Sequence, residues 1–175
     1  VSVPGLDLEY YKLEYQHTMF KEVANNVTFM LNGDIGYADS YGSRIFPFFK
    51  NFFVGGVNSV RGFEIGTVGP LDIDPSTGNI FSVGGTKKLV GNAEIFVPVP
   101  FIQDSSQFRL STFFDAGNAF GINESINFKD LRYSTGIGIS WFSPFGPLKL
   151  VLAKPLNEKP NDNTQTLQFQ FGQQF

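Results

Sequence analysis

Residues 133–141 alternate without a break. Tyr133, Thr135, Ile137, Ile139 and Trp141 fall on one parity, and Ser134, Gly136, Gly138 and Ser140 on the other. A strand sends successive side chains to opposite faces, so this period of two predicts a sheet with one apolar and one polar face. The same pattern recurs along the chain. Tyr11, Leu13 and Tyr15 oppose Lys12, Glu14 and Gln16, while Val27, Phe29, Leu31, Ile35 and Tyr37 share a parity against Thr28, Asn32 and Asp34. Phe108, Leu110 and Phe114 oppose Arg109, Ser111 and Asp115, and Leu148, Leu150 and Leu152 precede a polar hairpin. Near the end, Leu167, Phe169 and Phe171 alternate with Gln168, Gln170 and Gly172. With shorter strands expected at 46–54 and 92–99, the count is eight, at about 10 residues each. No segment shows a sustained helical period, so the expected fold class is all-β and antiparallel.

What the apolar parity faces decides between two architectures. A soluble sandwich would dress its solvated face with charge, yet only 17% of residues are charged and the polar parity is mostly Ser, Thr, Asn, Gln and Gly. The chain carries 21 Phe and 19 Gly at a mean hydropathy of -0.05, which is consistent with Phe facing lipid and Gly lining a lumen or bending loops. Tyr11, Tyr15, Tyr37, Tyr133 and Trp141 fit interfacial girdles. The connections also alternate: the Pro/Gly-rich reversal at 142–147 is short, whereas 57–91 runs long without periodicity. Short turns on one side and long loops on the other predict a transmembrane barrel.

Other chemistries find no support in the sequence. A formal charge of -3 gives no basic footprint for nucleic acid. No apolar run reaches the length of a spanning helix. The chain has no Cys and one His, His17, so thiolate nucleophiles and multi-histidine metal sites are excluded. Asp72-Ile73-Asp74-Pro75-Ser76-Thr77-Gly78-Asn79 opens like a calcium loop but has Thr77 where Gly is required, and reads as a polar turn. No catalytic residue, metal or cofactor is expected, and the chain is not expected to be an enzyme.

Within the long connection stands Gly55-Gly56-Val57-Asn58-Ser59-Val60-Arg61-Gly62-Phe63-Glu64. An Arg flanked by Gly lets the backbone approach closely while its fork reaches carboxylates in pairs. Candidates on the polar parity are Glu94, which shares its face with Asn92, and Asp115, which shares one with Arg109. Arg61 either docks on such a pair or remains a solvated loop residue.

Val60-Arg61-Gly62-Phe63 resembles the loop signature of the Omp85 superfamily. The runs at 113–120 and 143–148 and the aromatic final strand are similar to the C-terminal half of the outer-membrane assembly factors in that superfamily. The resemblance covers practically the whole chain. It implies half of a sixteen-stranded barrel in the bacterial outer membrane, with loop 57–91 folded into the lumen and Arg61 held by Glu94 and Asp115 of the inner wall. It also implies an insertase that templates strand addition at a lateral gate, without nucleotide hydrolysis. Related transporters, a two-partner secretion pore or an autotransporter assembly factor, share the loop signature and are the alternative.

The gate strand would hold Leu167, Phe169, Phe171, Gly172 and Phe175, with Gly172 either allowing a kink or making room for a neighbouring aromatic. Implied partners are nascent outer-membrane proteins, the lipid bilayer and accessory lipoproteins that engage soluble repeats lying outside this chain. With no repeats, leader or first eight strands in view, the chain is expected to be a fragment. An even set of eight strands would let it close on itself or pair with a second copy.

Overall fold

The computed structural model describes residues 9–41, 46–99 and 107–172. Nine strands form: β1 Tyr10–Ala24, β2 Val27–Ser40, β3 Leu71–Ile73, β4 Ile80–Ser82, β5 Lys87–Pro98, β6 Phe108–Phe120, β7 Arg132–Ser143, β8 Gly146–Pro155 and β9 Leu167–Phe171. Seven make one antiparallel sheet in the order β1-β2-β5-β6-β7-β8-β9, and β3 and β4 pair as a separate hairpin. The all-β antiparallel class expected from the alternation is therefore observed.

Two details differ from the sequence expectation. Residues 46–54 do not form a strand: Phe48–Lys50 is a 3-10 turn, and Phe52 and Val54 make isolated bridges to Gly85 and Val68. The cause is Pro47, whose missing N–H cannot serve a ladder. Among the described residues the main sheet thus has seven strands where eight were expected. In this antiparallel set of seven, β1 and β9 run in the same direction, so these two strands cannot join antiparallel to each other. Nor is the 57–91 connection structureless, since it contains β3, β4 and the start of β5. Phe175 lies outside the described residues.

Local chemistry sets the turns. Asn25 and Asn26 join β1 to β2, and Asn26 takes a φ of 59°, which Asn tolerates better than most residues. Pro144 and Phe145 join β7 to β8, with Gly146 at a φ of 123°. The β3–β4 turn is the polar one expected from its sequence: the Asp74 carboxylate accepts from the Ser76 hydroxyl at 2.6 Å and from the Ser76 amide at 2.8 Å.

The polarity of the sheet is inverted relative to a water-soluble one. Ile137, Phe169 and Leu13 on the apolar parity are more than half exposed, whereas Glu94, Asp115, Ser134 and Gln168 on the other parity are at most 2% exposed. Rings of the apolar face stack from β6 to β7, Phe108 on Trp141 at 5.6 Å and Phe114 on Tyr133 at 5.9 Å. Such an outer face belongs in lipid. The polar face is covered from within by the long connection, whose Val54, Val60, Phe63 and Val68 form a core with Val90 and Ala119 of the sheet.

Two outcomes test this architecture. At Gly136 a side chain would start 2.1 Å from the Leu152 carbonyl oxygen and 2.7 Å from the Phe113 ring, whereas at Gly33 nothing lies within 4 Å. Gly136→Val is expected to lower the urea midpoint in lipid vesicles, at a cost of about 1–3 kcal/mol, and Gly33→Val to lower it far less. The Ser76 contacts hold the Asp74 carboxyl down at about 2, below the ordinary 3.8. A depressed carboxyl stabilises above its unfolded value and loses that contribution as pH falls through the folded one, so the turn should persist at pH 4. Carbon-13 titration of the carboxyl is expected to move upward in Ser76→Ala.

Candidate functional site

The site is assembled where the loop lies on β5 and β6. Strand alternation puts Lys88, Val90, Asn92 and Glu94 of β5 on the inner face, beside Ser111, Phe113, Asp115 and Gly117 of β6. Asn92 and Asp115 are directly opposed in the register. Gly117 keeps the wall low under the loop, since a side chain there would meet Val60 at 2.8 Å. Gly62 has a φ of 88° and passes Ala153 and Pro155 of β8 so closely that a Cβ would sit 3.2 Å and 3.3 Å from them. Only glycine combines that backbone conformation with that approach.

Between these glycines Arg61 is 2% exposed. Its Nε donates to Asp115 Oδ2 and its Nη2 to Asp115 Oδ1, both at 2.7 Å, so Asp115 is held bidentately. Nη1 donates to Glu94 Oε2 at 2.7 Å, and the Arg61 backbone N–H adds a bond to Asp115 Oδ2 at 3.0 Å. The guanidinium carbon lies 3.5 Å from the centre of the Phe113 ring. Burial works against the cation, but the bonds and charge of Asp115 and then Glu94 outweigh it and raise the Arg61 pKa.

A second layer balances the first. Asn92 Nδ2 donates to Asp115 Oδ1 at 2.9 Å and to the Ser59 carbonyl at 2.6 Å, tying wall to loop. Asn32 Nδ2 donates to Asn92 Oδ1 at 2.9 Å, and Thr18 donates to Asn32 at 2.9 Å, so amides continue the network to β1. Lys149 of β8 stands 4.0 Å from Glu94, giving two cations against two carboxylates. Beside this cluster is a cavity of about 670 Å³ lined by Gln16, Asn32, Arg109, Ser140 and Lys149 among others, a water-compatible interior.

The structure therefore brings Arg61, Glu94 and Asp115 together, with Val60 and Phe63 buried on either side. Leu167, Phe169 and Phe171 project outward from β9 and do not touch this cluster; they are exposed by 55%, 65% and 58%. Gly172 has a φ of 79° with open space around it, which favours the kink over room for an aromatic. Sequence reasoning missed Phe113, Lys149 and Gln168. Each sits on the inner parity of its strand, and that parity was the available signal. Gln168 donates Nε2 to the Phe63 carbonyl at 2.7 Å and accepts from the Gly62 amide at 3.2 Å.

Comparisons with known proteins bear on the family and the fold. An Omp85 superfamily domain matches residues 1–175. The outer membrane protein assembly factor BamA of Neisseria meningitidis serogroup B is 38% identical over 200 residues, covering 100% of this chain and 25% of that protein. A SAM50-like protein of Schizosaccharomyces pombe is 28% identical over 184 residues, with 99% of this chain and 37% of its own length covered. The crystal structure of BamA from Haemophilus ducreyi lacking POTRA domains 1-3 superposes with a TM-score of 0.87 at 28% identity, over 95% of this chain and 35% of that one. The chain thus spans a quarter of the meningococcal relative and about a third of the crystallised chain. By this match along its entire length, the chain belongs to the Omp85 superfamily.

Proposed function

We propose that this chain supplies the C-terminal wall of an outer-membrane protein assembly factor, working in the bacterial outer membrane. The observation that carries the reading is the inverted sheet locked from inside by Arg61 and ending at β9, a strand of five residues that pairs with β8 alone among the described residues. An edge strand in lipid exposes N–H and C=O groups that no solvent can satisfy, and an incoming strand satisfies them. The work is strand templating, without covalent chemistry or nucleotide. The drive is the hydrogen bonding and apolar burial that the substrate gains on entering the bilayer.

Its substrates are nascent outer-membrane proteins. Accessory lipoproteins would engage soluble repeats of the whole protein, away from these strands. The alternative of a secretion pore shares the loop signature, so the seated loop core does not separate the two; the assembly-factor reading is favoured by the 38% identity to a BamA over the whole of this chain.

Reconstitution of the full-length parent in liposomes, with a model barrel as substrate, tests the reading. Arg61→Ala leaves Glu94 and Asp115 buried without their cation, a loss of about 3–5 kcal/mol, and is expected to slow insertion at least about tenfold. Arg61→Lys should recover only part of this, because one ammonium cannot hold two carboxylates bidentately. Unchanged insertion by a properly folded Arg61→Ala protein would rule out the lock as part of the function.

A further inference from the structure

Strand β9 is held in an unusual way. Its ladder to β8 is short, from Leu148 opposite Phe171 to Leu152 opposite Leu167. Its outward residues are exposed, and its one fully buried side chain is Gln168, at 2%. Both amide atoms of Gln168 go to the backbone of the loop: its oxygen accepts from the Gly62 N–H and its Nε2 donates to the Phe63 carbonyl. These two residues directly follow Arg61.

The approach to β9 is held by the same stretch of loop. Phe63 bridges Thr164 in antiparallel fashion, with the Glu64 amide donating to the Asn163 carbonyl and the Gln165 amide to the Gly62 carbonyl, each at 2.8 Å. Residues 62–64 thus act as a short extra strand laid beside 163–165. On its other side the loop is fixed to β5 and β6 through Arg61. The loop therefore spans the interior from Glu94 and Asp115 to β9, passing over β8 at Gly62.

We propose that Gln168 is a positioning residue that sets the register of β9 on β8 by reading the position of the loop. A slip by one residue would turn Gln168 outward and leave the Gly62 N–H and Phe63 C=O buried without partners. A slip by two would keep the parity but carry the amide about 7 Å from its backbone partners. Glutamine suits both bonds because one end donates and the other accepts; a carboxylate of the same shape loses the donor to Phe63, and a thioether loses both. The ladder of five pairs does not by itself forbid a slip, since the outward residues Leu167, Phe169 and Phe171 are all apolar and interchangeable against lipid.

The register can be read chemically, because the chain has no native Cys. In the full-length parent, with any Cys outside this chain replaced by Ser, and in outer-membrane vesicles without substrate, the pair L150C/F169C reports the native register and L152C/F169C a slip of two. With Gln168 present the first pair should link and the second should not. Gln168→Met is expected to cut native linking at least about threefold and to raise the displaced link, and Arg61→Ala should do the same. The two changes together should be no worse than the stronger single change, since both break one connection.

Retention of native linking in a folded Gln168→Met protein, no effect of Arg61→Ala, or losses that multiply in the combination would each overturn the proposal. Folding is judged separately by heat-modifiable mobility. If Gln168→Met does not fold, Gln168→Asn decides, because it keeps a neutral amide but is one methylene too short to hold both Gly62 and Phe63. The readout involves no inserted substrate, so it stands or falls independently of the insertase function.

Discussion

The burial of Arg61 is the constraint around which the rest of the structure is arranged. A guanidinium with 2% exposure is tolerable only if its charge and its N–H groups are met, and here Asp115 takes Nε and Nη2 while Glu94 takes Nη1. Those carboxylates are themselves buried and need the cation equally. Meeting the condition fixes several other residues: small Gly62 and Gly117 so that loop and wall can touch, Phe113 under the guanidinium, and Asn92 to satisfy both Asp115 and Ser59. The loop is thereby part of the sheet's inner surface.

That inner polar surface only makes sense with an apolar exterior. In water, a sheet that hid Lys88, Glu94, Asp115 and Lys149 while exposing Leu, Ile and Phe would turn inside out. In a bilayer the same distribution is the stable one, because lipid asks nothing of the outer side chains beyond being apolar. Lys88 shows the same economy at the other end of the sheet, where Asp34 of β2 and Glu14 of β1 both accept from its ammonium. Three adjacent strands are thus cross-linked from within by a single cation.

Much of this was legible in the sequence, and for an identifiable reason. Parity alone puts Glu94 and Asp115 on the inner face, and Arg61, followed by Gly62, offers a fork that suits such a pair within a long connection. The strands that alternate cleanly, such as β7, appear where expected. What stayed hidden depends on pairing that no local pattern encodes. Residues 46–54 look apolar enough for a strand, but Pro47 and the packing of Phe46 and Phe52 against Ala38 turn them into loop core. That one segment changes the strand count from eight to seven and with it the relative direction of the sheet's two edges. The parity of Gln168 points it inward, but its role stayed hidden because its partners are backbone atoms more than a hundred residues away, and its neighbours Leu167, Phe169 and Phe171 carry the conspicuous signal.

The loop is held at two joints of comparable strength, and the manner of breaking decides which yields. At β5 and β6 it is held by a buried ion cluster, whose loss strands charges at about 3–5 kcal/mol in a single step. At β9 it is held by neutral hydrogen bonds, two through the Gln168 amide, one to the Asn163 carbonyl and one from the Gln165 amide, each worth about 0.5–1.5 kcal/mol net. Summed, the two joints are comparable. They differ in how they break: the neutral bonds lie at the edge of the sheet and can open one after another, each replaced at once by a bond to another strand, whereas the ion cluster offers no partial state. On the proposed reading, motion of β9 would leave the loop seated on the wall, a fixed template against which the last strand could return to register.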